Sequence, residues 1–390
     1  MKWINKGNEK LPYNNLMDNI TCNTTFYIYG VGKLGKELYI LLKKFNMFEG
    51  FIDNNKKIQE IGYKGEKVIS EEQYWISGKR NPIIIAASKK NTEEIKNHLQ
   101  ERKQKYNEDY FIYKEFIDRI FPIIAYELFN ISYVNVTQIC VTERCTLKCK
   151  KCAHACYAVP RDKEDLSLEQ VKKSADIFFS KIDYIQEFVL IGGEPLLYKY
   201  LYEAIEYIGT RYRNKMSIFS ITTNGTIKPS ISLLNVCKKY NVLFRISNYS
   251  NAVKIMEKKY EELKKLLDDN EVSYMLGKKE TTWVDYGFEY FKRNNKEEEL
   301  IEVFDKCHTA CHEIRENRFY YCVMARSVSE NLSKNVGKSD YLDFNKLQGN
   351  NWKRELLEYM EGYSEKGYLD MCRFCHGADC YKYIIPAALQ

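Results

Sequence analysis

The chain has 390 residues, of which 45% are hydrophobic and 29% charged, the composition of a globular protein long enough for two or three compact units. Its 60 basic and 53 acidic residues leave a formal charge of +7 scattered in short mixed runs, which excludes a basic stripe for nucleic acid. No run of about 18 apolar residues and no signal-type N-terminal segment occurs, so a soluble, cytoplasmic protein without membrane contact is expected.

In chain order, Phe26–Gly30 is a β-rich apolar run, VGKLGKELYILLKKF repeats apolar residues at helical spacing, and FEGFIDNN follows as a second strand. Gly30, Gly32 and Gly35 stand at the first turn, and Asp53 ends the second strand 18 residues after Gly35. In a dinucleotide-binding turn such glycines allow the tight bend, the approach of a pyrophosphate and close helix packing, while the acid meets a ribose hydroxyl. A further strand and helix in PIIIAASKKNTEEIKNHLQERK complete a Rossmann-like domain over residues 1–118. It is similar to N-terminal domains of UDP-sugar N-acyltransferases, which implies NAD, a nucleotide or a nucleotide-sugar at the turn; glycines serving only the bend are the alternative. The apolar stretch EFIDRIFPIIAYELFN then reads as a packed helical connector broken at Pro122.

The run CTLKCKKC spaces Cys145, Cys149 and Cys152 as C-x3-C-x2-C after the hydrophobic strand YVNVTQICV. Three thiolates leave one position of an iron-sulfur cube open, whereas zinc, the alternative, is usually held by two nearby C-x2-C pairs, and Cys156 supplies no such pair. Strands at FVLIGG, MSIFSITTNG and VLFRISNYS alternate with helices in a βα rhythm. The spacing, with Gly192-Gly193-Glu194-Pro195, Thr223-Asn224-Gly225 and Ser247-Asn248 at successive strand ends, resembles the radical S-adenosylmethionine (SAM) superfamily. The resemblance implies a partial (βα)6 barrel over residues 119–300, a 4Fe-4S cluster on the three cysteines, and SAM held by Gly192, Gly193, Glu194, Pro195, Thr223, Asn224, Ser247 and Asn248, with Arg245 as a further contact. Where that family usually carries an aromatic residue before the third cysteine, this chain has Lys151.

Of thirteen cysteines, eleven gather in three places, the last two being Cys307, Cys311, Cys322 and then Cys372, Cys375, Cys380, a clustering that suits metal ligation better than disulfides. Residues 301–390 are similar to the Twitch and SPASM auxiliary-cluster domains, which implies a second 4Fe-4S cluster on Cys307, Cys322, Cys372 and Cys375. Cys307 and Cys311 compete for one position, and the 14 residues between Cys307 and Cys322 favour the former. Zinc on the same four thiols is the alternative, and a C-x3-C-H haem-like run at Cys307 has the wrong spacing. His308, His312 and His376 are expected to pack or hydrogen-bond. The fold class is therefore α/β in three parts.

By resemblance the function is that of a radical SAM oxidoreductase acting on a sugar or cyclitol alcohol, nucleotide-linked or free, with epimerisation sharing the first step. Peptide or protein modification is the second reading, and a zinc-stabilised nucleotide-binding protein without radical chemistry is a third from another class. Flavodoxin or ferredoxin is the reductant such an enzyme needs, and Lys148, Lys150 and Lys151 are candidate docking residues for these acidic proteins. The catalytic base or hydrogen donor is not identified.

Overall fold

The computed structural model describes all residues except 295, 308, 310 and 335–339, so His308 lies outside the described residues. The chain divides into two compact units, one formed by residues 10–133 and the other by residues 1–9 with 134–390. The boundary expected at 118 therefore falls at 133, because the connector joins the first unit: Pro122 lies in the first turn of the helix Phe121–Phe129, directly after a wide π-type turn at Phe116–Ile120. There its missing N–H needs no partner. The boundary expected at 300 is absent from this division, and residues 301–390 share a unit with residues 134–300.

In the first unit, β1 (Phe26–Tyr29), β2 (Phe48–Ile52), β3 (Val68–Ile69), β4 (Ile83–Ile85) and β5 (Tyr110–Ile112) form a sheet of order β3-β2-β1-β4-β5. Every adjacent pair is parallel. Parallel strands need crossovers, and these are the helices Lys33–Lys44 and Lys89–Glu101 with shorter turns between. Ser88 starts the latter by accepting the Asn91 N–H. Both sheet faces are covered, so the strands are continuously apolar: Ile52, Ile83 and Ile85 are buried together with Leu99.

The second unit contains all but the first residue of β6 (Tyr133–Thr142), together with β7 (Tyr184–Gly192), β8 (Met216–Thr223), β9 (Val242–Ile246) and β10 (Tyr274–Leu276). A short β11 (Thr282–Val284) follows, then β12 (Cys311–Arg315), β13 (Arg318–Tyr320), β14 (Tyr341–Asp343) and β15 (Ile384–Pro386). Its main sheet runs β10-β9-β8-β7-β6-β12-β13-β14, while β11 and β15 make a separate antiparallel ribbon. The pairs β7–β8, β8–β9, β9–β10 and β6–β12 are parallel, and β12–β13 and β13–β14 are antiparallel. A strand from the segment assigned to a C-terminal domain thus extends the parallel sheet beside β6.

Helices Leu168–Lys181, Leu201–Tyr212, Ile231–Lys239 and Met256–Asp269 cross between the strands. Ser167 and Gln170 make a reciprocal cap on the first, and Ser230 caps the third. Their apolar faces close on Phe188, Phe219, Ile221 and Phe244 in one core. That packing fixes where the strand C-termini lie.

Candidate active site

The end of β6 is pinned before the cysteine loop begins. Arg144 grips Asp165 with Nε at 3.0 Å and Nη2 at 2.6 Å, and Thr142 donates to the same carboxylate. The end of β7 docks on this base through backbone bonds from Gly193 N to Thr142 O and from Glu194 N to Arg144 O, both 2.9 Å. A Cβ on Gly192 would lie 2.4 Å from Thr142 O, and one on Gly193 would lie 2.4 Å from Arg144 O and 2.7 Å from Cys145 Cβ. The glycine pair is thus required by close approach of the protein to itself, where the sequence suggested a ligand.

Cys145, Cys149 and Cys152 line one cavity of about 120 Å³ with Gly192, Gly193, Thr223, Asn224 and Ser247. Glu194, Pro195, Arg245 and Asn248 do not line it. Glu194 is fully buried, and its carboxylate accepts from Thr223 Oγ1 at 2.7 Å, Asn224 N at 2.8 Å and Leu196 N at 3.1 Å, tying the ends of β7 and β8 together. Burial raises its pKa against those three donors. Arg245 forms a two-pronged ion pair with Glu187 across the sheet interior. Asn248 donates to Gly277 O and accepts from Ser250. These four candidates are structural neighbours of the cavity.

Several wall residues escaped the sequence reading, among them His154, Tyr157, Tyr249 and Trp283. Tyr249 directly follows Asn248 at the end of β9, so its position was open to inference, whereas Trp283 on β11 carried no motif. A second, wider cleft of about 560 Å³ shares Cys152, His154, Tyr249 and Trp283 with the first and is walled by Tyr286, Tyr381 and Ile384. Below the strand ends the interior is filled. Fully buried Arg326 pairs with Glu143 and Glu313, and Gln138 donates to Glu313 at 2.9 Å. Burial alone would raise the Glu143 pKa, but Arg326 and Arg315 overcome it and hold it at about 2.

Among the described residues no three Cys, His, Asp or Glu side chains are gathered as they stand around one metal position. The loop thiols bond instead to neighbours: Asn224 Nδ2 lies 3.6 Å from Cys145 Sγ, and Gln390 Nε2 lies 3.1 Å from Cys149 Sγ. Cys152 is paired with Cys156, whose thiol lowers its pKa. Burial pushes Cys145 up to about 11 and raises Cys149 as well. Cys145 and Cys149 are thus poor nucleophiles on their own, and a bound cation is what would keep them ionised, while Cys152 is already inclined to the thiolate, so the three sulfur donors fit a thiolate-held metal cluster. Lys151, at positive φ, bonds to Glu289 and Asp285 and lies 4.8 Å from the Tyr290 ring centroid, so an ion pair occupies the place of the expected aromatic. Lys148 Nζ donates to the carbonyls of Tyr157 and Val159, leaving Lys150 as the exposed lysine of the three without such a bond.

The distal cysteines divide. The Tyr286 hydroxyl lies within electrostatic reach of Cys380, Cys375, Cys322 and Cys307, and Cys372 within reach of Cys322 and Cys375. Cys311 lies on β12 within electrostatic reach of Cys322, and its thiol donates to Gln138 Oε1 at 3.5 Å. His312 Nδ1 donates to Tyr321 O at 2.8 Å, and His376 stacks on Tyr383 at 3.8 Å, so both pack against neighbours.

At the first-unit turn, Gly30 has φ +111° and a Cβ there would lie 2.8 Å from Ala86 O, while one on Gly35 would lie 1.9 Å from Gly30 O. A Cβ on Gly32 would meet nothing within 4 Å. Asp53 accepts from Val31 N at 3.0 Å and Asn55 N at 2.9 Å, so it braces the turn.

Residues 139–312 match the sequence profile of the Radical SAM superfamily. The chain carries a radical SAM domain. That domain implies a 4Fe-4S cluster and SAM as its cofactors. A GTP 3',8-cyclase of Rhizobium etli is 27% identical over 93 residues, 24% of this chain and 26% of that one, so the chain spans about a quarter of this curated relative. Among solved structures, anSMEcpe with AdoMet and the Cp18Cys peptide has a TM-score of 0.31 at 18% identity, over 37% of this chain and 42% of that one. Streptococcus suis SuiB bound to its precursor peptide SuiA gives 0.31 at 17%, over 45% and 37%. BtrN in complex with AdoMet and 2-DOIA gives 0.37 at 16%, over 65% and 98%. These partial likenesses assign no substrate. No helix among the described residues is long and apolar enough to cross a membrane.

Proposed function

We propose that this chain is a radical SAM oxidoreductase acting on a sugar or cyclitol alcohol, free or nucleotide-linked. The observation that carries the reading is the single cavity shared by three thiols, the Gly192–Gly193 strand end, Thr223, Asn224 and Ser247, which has Cys152, His154, Tyr249 and Trp283 in common with the cleft walled by Tyr286 and Tyr381. With its cluster and SAM bound, such a site supplies a 5'-deoxyadenosyl radical that takes a hydrogen atom from a substrate carbon. Cys145, Cys149 and Cys152 would hold the cluster, and the backbone at Gly192 and Gly193 with Asn224 and Ser247 would orient SAM. The aromatic walls suit the C–H faces of a polyol and exclude water from the reacting carbon. Because the sheet interior is filled by the Arg326 and Arg245 ion pairs, substrate enters from the aromatic cleft.

A second cluster belongs to the same proposal. Cys307, Cys322 and Cys375 would supply three thiolates, with Cys372 or Cys380 as the fourth, and would take an electron from the substrate radical, leaving a ketone. In the first unit, the strand order β3-β2-β1-β4-β5 and the open space at Gly32 support a Rossmann-like nucleotide or nucleotide-sugar site. A flavodoxin or ferredoxin docking near Lys150 would deliver the starting electron.

The test is anaerobic reconstitution with iron and sulfide, then incubation with SAM, reductant and candidate cyclitols and NDP-sugars. One 5'-deoxyadenosine per ketone is expected. Stoichiometric zinc without iron, or deoxyadenosine formed only with peptides, would overturn the reading. Cys152→Ser should lose the SAM-cluster iron while Cys156→Ser keeps it; equal loss would point to a four-thiol zinc site.

A further inference from the structure

The cysteine loop is covered by a segment distant in sequence. Ala387 N bonds to Thr281 O at 3.1 Å beyond the β11–β15 ribbon, and Ala387 and Ala388 are buried. Ala388 takes a left-handed conformation at φ +51°, which turns the chain onto the loop. Three bonds then reach three successive loop residues. Lys148 N donates to Gln390 Oε1 at 2.9 Å, Gln390 Nε2 donates to Cys149 Sγ at 3.1 Å, and Lys150 N donates to Leu389 O at 2.6 Å. The Gln390 amide is itself oriented by a 2.8 Å bond from Nε2 to Ala388 O. The middle cysteine is thereby braced on both flanks and given one N–H on its sulfur.

We infer that Gln390 is a positioning residue for Cys149 and sets the electron affinity of the cluster that loop would hold. The inference rests on the radical SAM reading. An N–H donated to a ligand sulfur stabilises the reduced cluster, whose sulfurs carry more negative charge, so it raises the reduction potential. The same bonds fix the loop backbone on either side of Cys149.

Gln390→Met keeps the length and removes the donor. In the reconstituted protein, a redox titration followed by electron paramagnetic resonance, reading the signal that SAM perturbs, should show the reduction equilibrium weakened about tenfold, a midpoint about 59 mV lower for one electron. Iron content should stay at the wild-type level. Gln390→Glu should lower the midpoint further, because it adds negative charge beside the sulfur. An unchanged midpoint in cluster-loaded Gln390→Met overturns the inference. Should that variant hold no iron, the metal-free proteins decide: deletion of residues 387–390 should speed alkylation of Cys149 more than of Cys145, and equal acceleration overturns the inference. Absence of any 4Fe-4S signal in the wild type would defeat the radical SAM reading, while the alkylation arm would still judge Gln390.

Discussion

Two glycine-bearing strand ends read alike in the sequence and differ in the structure. After β1, one of three glycines faces open space while the other two are pressed against backbone; after β7, both glycines are pressed against the base of the cysteine loop. A glycine signals an approaching ligand only where its missing Cβ points at nothing. Where a carbonyl stands at 2 to 3 Å, it signals that the protein approaches itself, and the site is built one step further on.

The largest test of this contrast is Gly193→Ala. Its methyl would displace Arg144 O and Cys145, so 5'-deoxyadenosine formation should fall roughly hundredfold through loop misplacement, with hydrogen exchange over residues 26–44 unchanged. Wild-type turnover in that variant would break the contrast. Acid comes next. Glu143, held at about 2 by Arg326 and Arg315, contributes stability that is complete above its ordinary value of 4.5 and is lost as the pH falls from there towards 2. The loss should amount to roughly 3 kcal/mol by linkage, read by denaturant unfolding of the metal-free protein. Gly35→Ala should destabilise the first unit by about 1–3 kcal/mol through overpacking, visible as faster exchange over residues 26–44 with iron content unchanged. The smallest effect is expected at Gly32, where alanine should change stability by less than about 0.5 kcal/mol but weaken binding of an added nucleotide or NDP-sugar measured by calorimetry. Unchanged binding there would return all three glycines to the bend.

The parts legible in the sequence were those written in local pattern. The βα alternation, the C-x3-C-x2-C loop and the strand ends at Thr223 and Ser247 depend on spacing alone, and all three cysteines line one cavity with both residues. Roles that depend on tertiary partners were hidden. Glu194 carries the motif but spends its carboxylate on Thr223, Asn224 and Leu196, and Arg245 meets Glu187 across the sheet interior. The pairing of β12 with β6 joins residues about 175 apart, beyond any window of periodicity. Trp283 and Gln390 reach the cysteine loop only through the β11–β15 ribbon, and nothing in their local sequence announces it.

That ribbon also orders events in time. Gln390 follows Cys149 by 241 residues, so at about 5–20 residues per second the loop emerges from the ribosome roughly 12–48 s before its cover exists. During that interval the three thiols stand open to the solvent and to whatever delivers iron and sulfide; afterwards an ordered segment lies across the middle one. Loading during synthesis therefore meets an open loop, whereas loading of the finished chain meets one already braced by residues 389–390.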